Sequence, residues 1–146
     1  MNDLRIEPVD GEAMVKDWQY VHNAIIPTDL LSLDDVRERV QRNHLEVAYL
    51  GEVLVGCSTV RPPTSDAPVA TVIARVLPAH RRQGFGGEIY ARGLARAREL
   101  GAGVIETVVL ESNPDGLRFA QRHGFVEIER YLLPGDSVPF IDLRLV

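Results

Sequence analysis

Cysteine occurs once in this chain of 146 residues, at position 57. A lone thiol excludes an internal disulfide framework and a thiolate metal cluster, and no metal is expected. No stretch approaches the roughly 18 continuous apolar residues that a bilayer span requires. The opening Met1-Asn2-Asp3-Leu4-Arg5 has no apolar segment of signal-peptide length behind it. These absences leave the cytoplasm as the expected location and no membrane as a partner. An excess of positive charge is also missing: the net charge of -5 excludes a general nucleic-acid binder. Aromatic residues make up 6% of the chain, and Trp18 and the phenylalanines at 85, 119, 125 and 140 are assigned to the core rather than to a substrate cage. Repeats, low-complexity tracts and linkers are absent too, so residues 1–146 read as one domain, long enough to bury a core.

What is present is unevenly placed. Arginines 75, 81, 82, 92, 96 and 98 fall within 24 residues, which gives an acidic chain a local basic patch suited to a small polyanion. Hydrophobic periodicity orders the chain as β-α-α-β-β-β-α-β-α-β-β. A first strand covers Leu4 to Val9, and Asp10 is expected to cap a helix that Pro27 stops. Ser32 with Asp35 three residues later forms a capping-box variant opening a second helix. Leu45–Leu50 and Val53–Val60 form a hairpin around Gly51-Glu52, and Val69–Leu77 a further strand. A helix from Gly86 to Leu100 carries Glu88 and Arg92 as an i,i+4 pair and is closed by Gly101. After a strand at Val104–Leu110, Asn113-Pro114-Asp115 starts a helix that ends at Gly124. Phe125–Leu133 and Val138–Val146 are the last strands. The unit from 69 to 110 should be a right-handed parallel crossover and the flanking hairpins antiparallel. The fold class is therefore α/β (α+β), a mixed and mostly antiparallel sheet of about seven strands covered by about four helices.

Between the 69–77 strand and the next helix lies Arg81-Arg82-Gln83-Gly84-Phe85-Gly86-Gly87. The first N–H groups of a helix have no internal partner, the macrodipole adds positive charge, and glycines let backbone approach a phosphate. A tight turn with solvated arginines is the alternative. A P-loop would need Lys-Ser or Lys-Thr after Gly87, where Glu88 stands, and a dinucleotide fingerprint a glycine where Ile89 stands. Neither ATP nor NAD is supported.

The pattern Arg81-x-x-Gly84-x-Gly86 after Val76-Leu77-Pro78, followed by Asn113, Gly116 and Gly124-Phe125, resembles the Gcn5-related N-acetyltransferases along nearly the whole chain. The resemblance implies acetyl-CoA as co-substrate and a small-molecule or peptide amine as acceptor, with a possible homodimer. It places the pyrophosphate on the amides of Arg82, Gln83, Gly84, Phe85, Gly86 and Gly87, with Arg81 alongside. The pantetheine arm would lie beside Val76 and Leu77, where the two parallel strands splay, and touch Asn113. The usual acid, a tyrosine seven residues after the asparagine, is replaced by Ala120, so the proton donor stays open. Glu111 is the candidate catalytic residue, with a solvated strand-end acid as the alternative. His22 is assigned to packing, and Cys57 to a buried thiol rather than an acyl acceptor. A coenzyme A-binding module without catalysis is the second functional reading.

Overall fold

The computed structural model describes residues 4–146. Among these residues the chain forms seven strands and four α-helices in the expected order. They are β1 (Leu4–Pro8), α1 (Glu12–Ile25), α2 (Leu33–Arg42), β2 (His44–Leu50), β3 (Val53–Arg61), β4 (Val69–Val76), α3 (Phe85–Glu99), β5 (Val104–Leu110), α4 (Pro114–Arg122), β6 (Phe125–Tyr131) and β7 (Phe140–Leu145). The strands make one sheet in the order β1-β2-β3-β4-β5-β7-β6. Every neighbouring pair is antiparallel except β4 with β5.

Local chemistry accounts for most of the helix boundaries. Ser32 and Asp35 close a reciprocal capping box, with the Asp35 N–H donating to Ser32 Oγ at 3.1 Å and the Ser32 N–H donating to Asp35 Oδ2 at 2.9 Å. The Asn113 side chain accepts from the Gly116 N–H at 3.1 Å, and Pro114 fills a first-turn position that has no donor to lose. Gly101 takes φ 90° after α3, a left-handed turn that suits glycine. The expected Asp10 cap is corrected. Gly11 occupies the cap position at φ 89°, one residue later, with no side-chain cap bond.

Alternation along each strand divides the core in two. Val60, Ala70, Val72, Ile105, Ile141 and Leu143 face α3 and α4, where Tyr90, Ala97 and Ala120 complete a core. Leu45, Val47 and Cys57 face α1 and α2, packed by Val15, Trp18, Val21 and Val36. Trp18 is fully buried and donates its indole N–H to Ser58 O at 3.1 Å. The sheet is thus a partition with helices on either side, and what crosses it matters. No helix among the described residues is long and apolar enough to cross a membrane.

Candidate functional site

The partition opens between β4 and β5. β4 and β5 pair only through Val69–Val104, Ala70–Ile105 and Thr71–Glu106. Beyond these rows β4 stays with β3 as far as Gly56–Val76, and β5 stays with β7 as far as Leu110–Phe140. The facing edges of Val72–Val76 and Thr107–Leu110 have no strand between them. Gly56 helps β4 lean toward β3, since a Cβ there would lie 2.2 Å from the Arg75 carbonyl oxygen. The result is a cleft of about 570 Å³ that runs from Ile25 and Ile26 at the end of α1, between the strands, to the 81–87 loop and the start of α4. Strand edges of this kind present free N–H and C=O groups to an extended ligand.

At the loop end, Gly84 caps α3 in the left-handed region at φ 84°, and Arg82 shares that region at φ 64°. The Glu88 N–H reaches Gly84 O at 3.3 Å, so the N–H groups of Phe85, Gly86 and Gly87 precede the first helical bond. Arg82, Gly84, Gly86 and Gly87 all line the cleft. Phe85 also borders it, but its ring is buried, so only its backbone suits a ligand. Arg81 donates its Nε–H to Val76 O at 2.9 Å and pairs with Asp115 at 3.4 Å. It therefore ties the loop to both β4 and α4. A Cβ on Gly86 would stand 3.1 Å from Phe119 Cε1, whereas one on Gly87 would meet only His123, at 3.9 Å.

Other expected members of the site are placed differently. Leu77 packs with the core under α1 and α2, its N–H bonded to Val55 O at 2.9 Å. Gln83 is exposed and is not among the residues that line the cleft. Glu111 lies outside the lining as well: it is exposed, and its carboxylate accepts from Arg130 Nη1 at 2.9 Å. The basic patch is also divided, because sequence proximity on a strand and a helix does not mean a shared face. Arg92 bonds Glu46 through Nε (2.6 Å) and Nη2 (3.0 Å), which corrects the expected Glu88 pairing. Only Arg75, Arg81 and Arg82 of the six line the cleft, joined by Arg118 and Arg122 of α4.

Inside the cleft, sequence reasoning missed Tyr90. It belongs to the apolar stripe of α3, is 3% exposed, and lines the cleft with Ala120. Phe119, His123 and Phe125 hold its ring edge-on at centroid distances of 5.9, 5.5 and 5.3 Å. Its buried hydroxyl has no hydrogen-bond partner among the described residues, and burial pushes its pKa upward. Nothing in a 3.6-residue pattern marks a tyrosine whose oxygen is left unsatisfied.

On the α1 side, His22 is buried and stacks on Trp18 at 5.4 Å, with Nδ1 3.0 Å from Asn23 Oδ1. Burial first, and then the Arg75 charge, lower its pKa to about 4. Burial pushes the Cys57 thiol up to about 12, which leaves no thiolate at neutral pH. Among the described residues no group of three or more His, Cys, Asp or Glu is placed to hold a metal ion.

The acetyltransferase (GNAT) family model matches residues 12–125. Solved structures with the same fold include a ribosomal-protein-alanine N-acetyltransferase from Brucella melitensis, at 17% identity and TM-score 0.77, covering 97% of this chain and 99% of that one. A GNAT family acetyltransferase from Elizabethkingia anophelis with acetyl-CoA bound aligns at 16% identity and TM-score 0.74, covering 99% of each chain. The Bacillus subtilis acetyltransferase in complex with CoA aligns at 21% identity and TM-score 0.68, covering 98% of each. No curated protein matches the sequence.

Proposed function

The chain belongs to the acetyltransferase (GNAT) family, and on that premise we propose that it moves an acetyl group from acetyl-CoA to the primary amine of a small molecule or peptide, by direct attack within a ternary complex. The observation that carries this reading is the cleft itself, which joins a glycine turn at a helix N-terminus to an opening on the other side of the sheet. Acetyl-CoA supplies an acetyl group activated as a thioester.

The residues fit such a donor. The N–H groups of Phe85, Gly86 and Gly87 suit a pyrophosphate at the mouth of α3, with Arg82 adding charge. The unpaired edge of β4 through Val76 suits the amides of the pantetheine arm. Asn113 keeps its carbonyl oxygen on the Gly116 N–H and has its amide nitrogen left to offer. The open strand edges can polarise a carbonyl without any particular side chain.

Two protons must move. The attacking amine releases one to water at the open end of the cleft, and the sulfur that leaves gains one. The unpartnered Tyr90 hydroxyl, which burial keeps protonated, is the group we assign to the sulfur in place of the residue missing at Ala120. A covalent acetyl-enzyme is disfavoured, because the only thiol, Cys57, is buried and protonated. Holding both substrates in one cleft supplies catalysis by proximity instead.

The test is calorimetry with acetyl-CoA on the wild type and Gly87→Glu. Room for the new side chain at position 87 keeps the fold, while its negative charge faces the phosphates. We expect binding by the wild type and a loss of about tenfold or more in the variant. Equal affinity in a variant that melts like the wild type would overturn the assignment of the loop. The absence of the usual tyrosine favours a second reading, a coenzyme A-binding module without turnover, which thiol release with a panel of amines would separate from the first.

A further inference from the structure

The arginines of this chain mostly find carboxylates. Arg37, Arg42, Arg92, Arg118, Arg130 and Arg144 all lie in ion pairs. Arg39, Arg61 and Arg75 have none among the described residues, although these three influence one another's charge. Register and alternation place the strand members on one face. Cys57, which packs under α1, is opposite Arg75, and Arg61 is opposite Thr71 four rows along, an even spacing that keeps Arg61 and Arg75 on one face. Arg39 reaches the same area from the last turn of α2. Arg75 is half-buried and lines the cleft beside Ile25 and Ile26.

This cationic group is distinct from the phosphate loop. Ala70, Val72 and Ala74 face α3, and Val76 Cγ2 lies under Gly86, so Arg75 points to the opposite side of the sheet. A donor anchored on the loop leaves these arginines to the other ligand. Three guanidinium groups outside any ion pair repel one another, and burial sharpens that repulsion. Asp142 offsets part of it at Arg61 and Asp35 part of it at Arg39, which leaves Arg75 the most exposed to it. Burial above all lowers the pKa of Arg75; Cys57 opposes the shift, and the charges of Arg61 and Arg39 add to it. The neighbouring His22 is kept neutral and so adds no further charge. An anion seated there would relieve the repulsion.

The same face carries the opposite sign across the cleft. Thr71 pairs with Glu106, Val108 pairs with Asp142, and Asp142 pairs with Glu129. Tyr131 donates its hydroxyl to Asp142 Oδ1 at 3.0 Å, and Glu106 is held by Arg144. The face thus has a basic half on α2, β3 and β4 and an acidic half on β5, β7 and β6. We infer that the acceptor is a small amino acid, its carboxylate bound by Arg75 with Arg61 and Arg39 and its ammonium directed toward Asp142. This inference rests on the acetyl-transfer reading above.

The experiment measures thiol release from acetyl-CoA with each of the common L-amino acids and with its α-carboxamide. Removing the carboxylate lowers the amine pKa and by itself favours attack. A preference for the acid therefore reports recognition. We expect at least one acid to exceed its carboxamide by about tenfold in kcat/KM, and Arg75→Gln to bring that ratio to about one by raising KM for the acid. Arg61→Gln, at an exposed position, serves the same purpose if the Arg75 variant does not fold. Carboxamides used as well as the acids, an unchanged ratio in both folded variants, or no acid accepted by a protein that binds acetyl-CoA would overturn the acceptor class alone. No binding of acetyl-CoA would overturn the donor reading, and this inference with it.

Discussion

In the proposed mechanism the Tyr90 hydroxyl has opposite effects on stability and on rate. A buried hydroxyl without a partner costs about 1–3 kcal/mol of desolvation. Tyr90→Phe removes that penalty while keeping the edge-on packing against Phe119, His123 and Phe125. The variant should melt at the same temperature as the wild type or higher, and bind acetyl-CoA. Its turnover should fall on the order of 10²-fold, the usual contribution of one proton-transferring group. A rate equal to wild type in that folded protein would remove Tyr90 from the mechanism. The sequence could not single out this residue. It shows a tyrosine at a core position of α3, and only the convergence of α3, α4 and β6 leaves its oxygen alone at the cleft wall. Glu111 shows the converse: its place at the end of a strand suggested the cleft, but Arg130 from β6 holds it at the surface.

At the scale of the element, α3 is built to lie close to the sheet. Gly93 stands inside the helix, where alanine would ordinarily be better by about 1 kcal/mol. A Cβ at 93 would lie 2.6 Å from Val72 Cγ1, nearer than packed atoms can sit. Gly93→Ala should therefore destabilise the protein, by about 1–3 kcal/mol, as overpacked cores do. Urea denaturation checks the sign, and a stabilised variant would show that α3 can lift from β4 at no cost. That closeness bears on the site, since α3 carries the glycine turn at its start and Tyr90 one turn before Gly93. Capping box, proline-started helix and glycine stops were all legible from spacing, because each is a contact within a few residues. The Glu88–Arg92 pair was equally local and still failed, because Glu46 from β2 offers Arg92 a two-nitrogen contact.

Across the whole molecule, folding suppresses one protonation strongly. His22 has a pKa of about 4 in the folded chain, against an ordinary value near 6.5, because burial and the Arg75 charge disfavour the imidazolium. The unfolded chain binds the proton more readily, so His22 contributes stability above pH 6.5 that is lost as the pH falls toward 4. By pH 5 the loss is about 2 kcal/mol relative to neutral pH. Most carboxylates titrate below about 4.5, so this window is largely their own-charge plateau. Urea titrations at pH 7 and pH 5 should show the drop in the wild type and a smaller one in His22→Gln. An equal drop in both would mean that the imidazole protonates freely in the folded state.

Element order, the parallel crossover and the glycine turn before α3 follow from the sequence by itself, because periodicity, caps and turn residues act over a few positions. Tertiary structure decided where β4 leaves β5, that β7 inserts between β5 and β6, and which arginines share a face. It also decided which charges stay unpaired. Arg75 and Arg92 look alike in a list of basic residues, yet one meets Glu46 and the other faces an open cleft. The difference lies in contacts between strands and helices far apart in the chain, which no local spacing encodes.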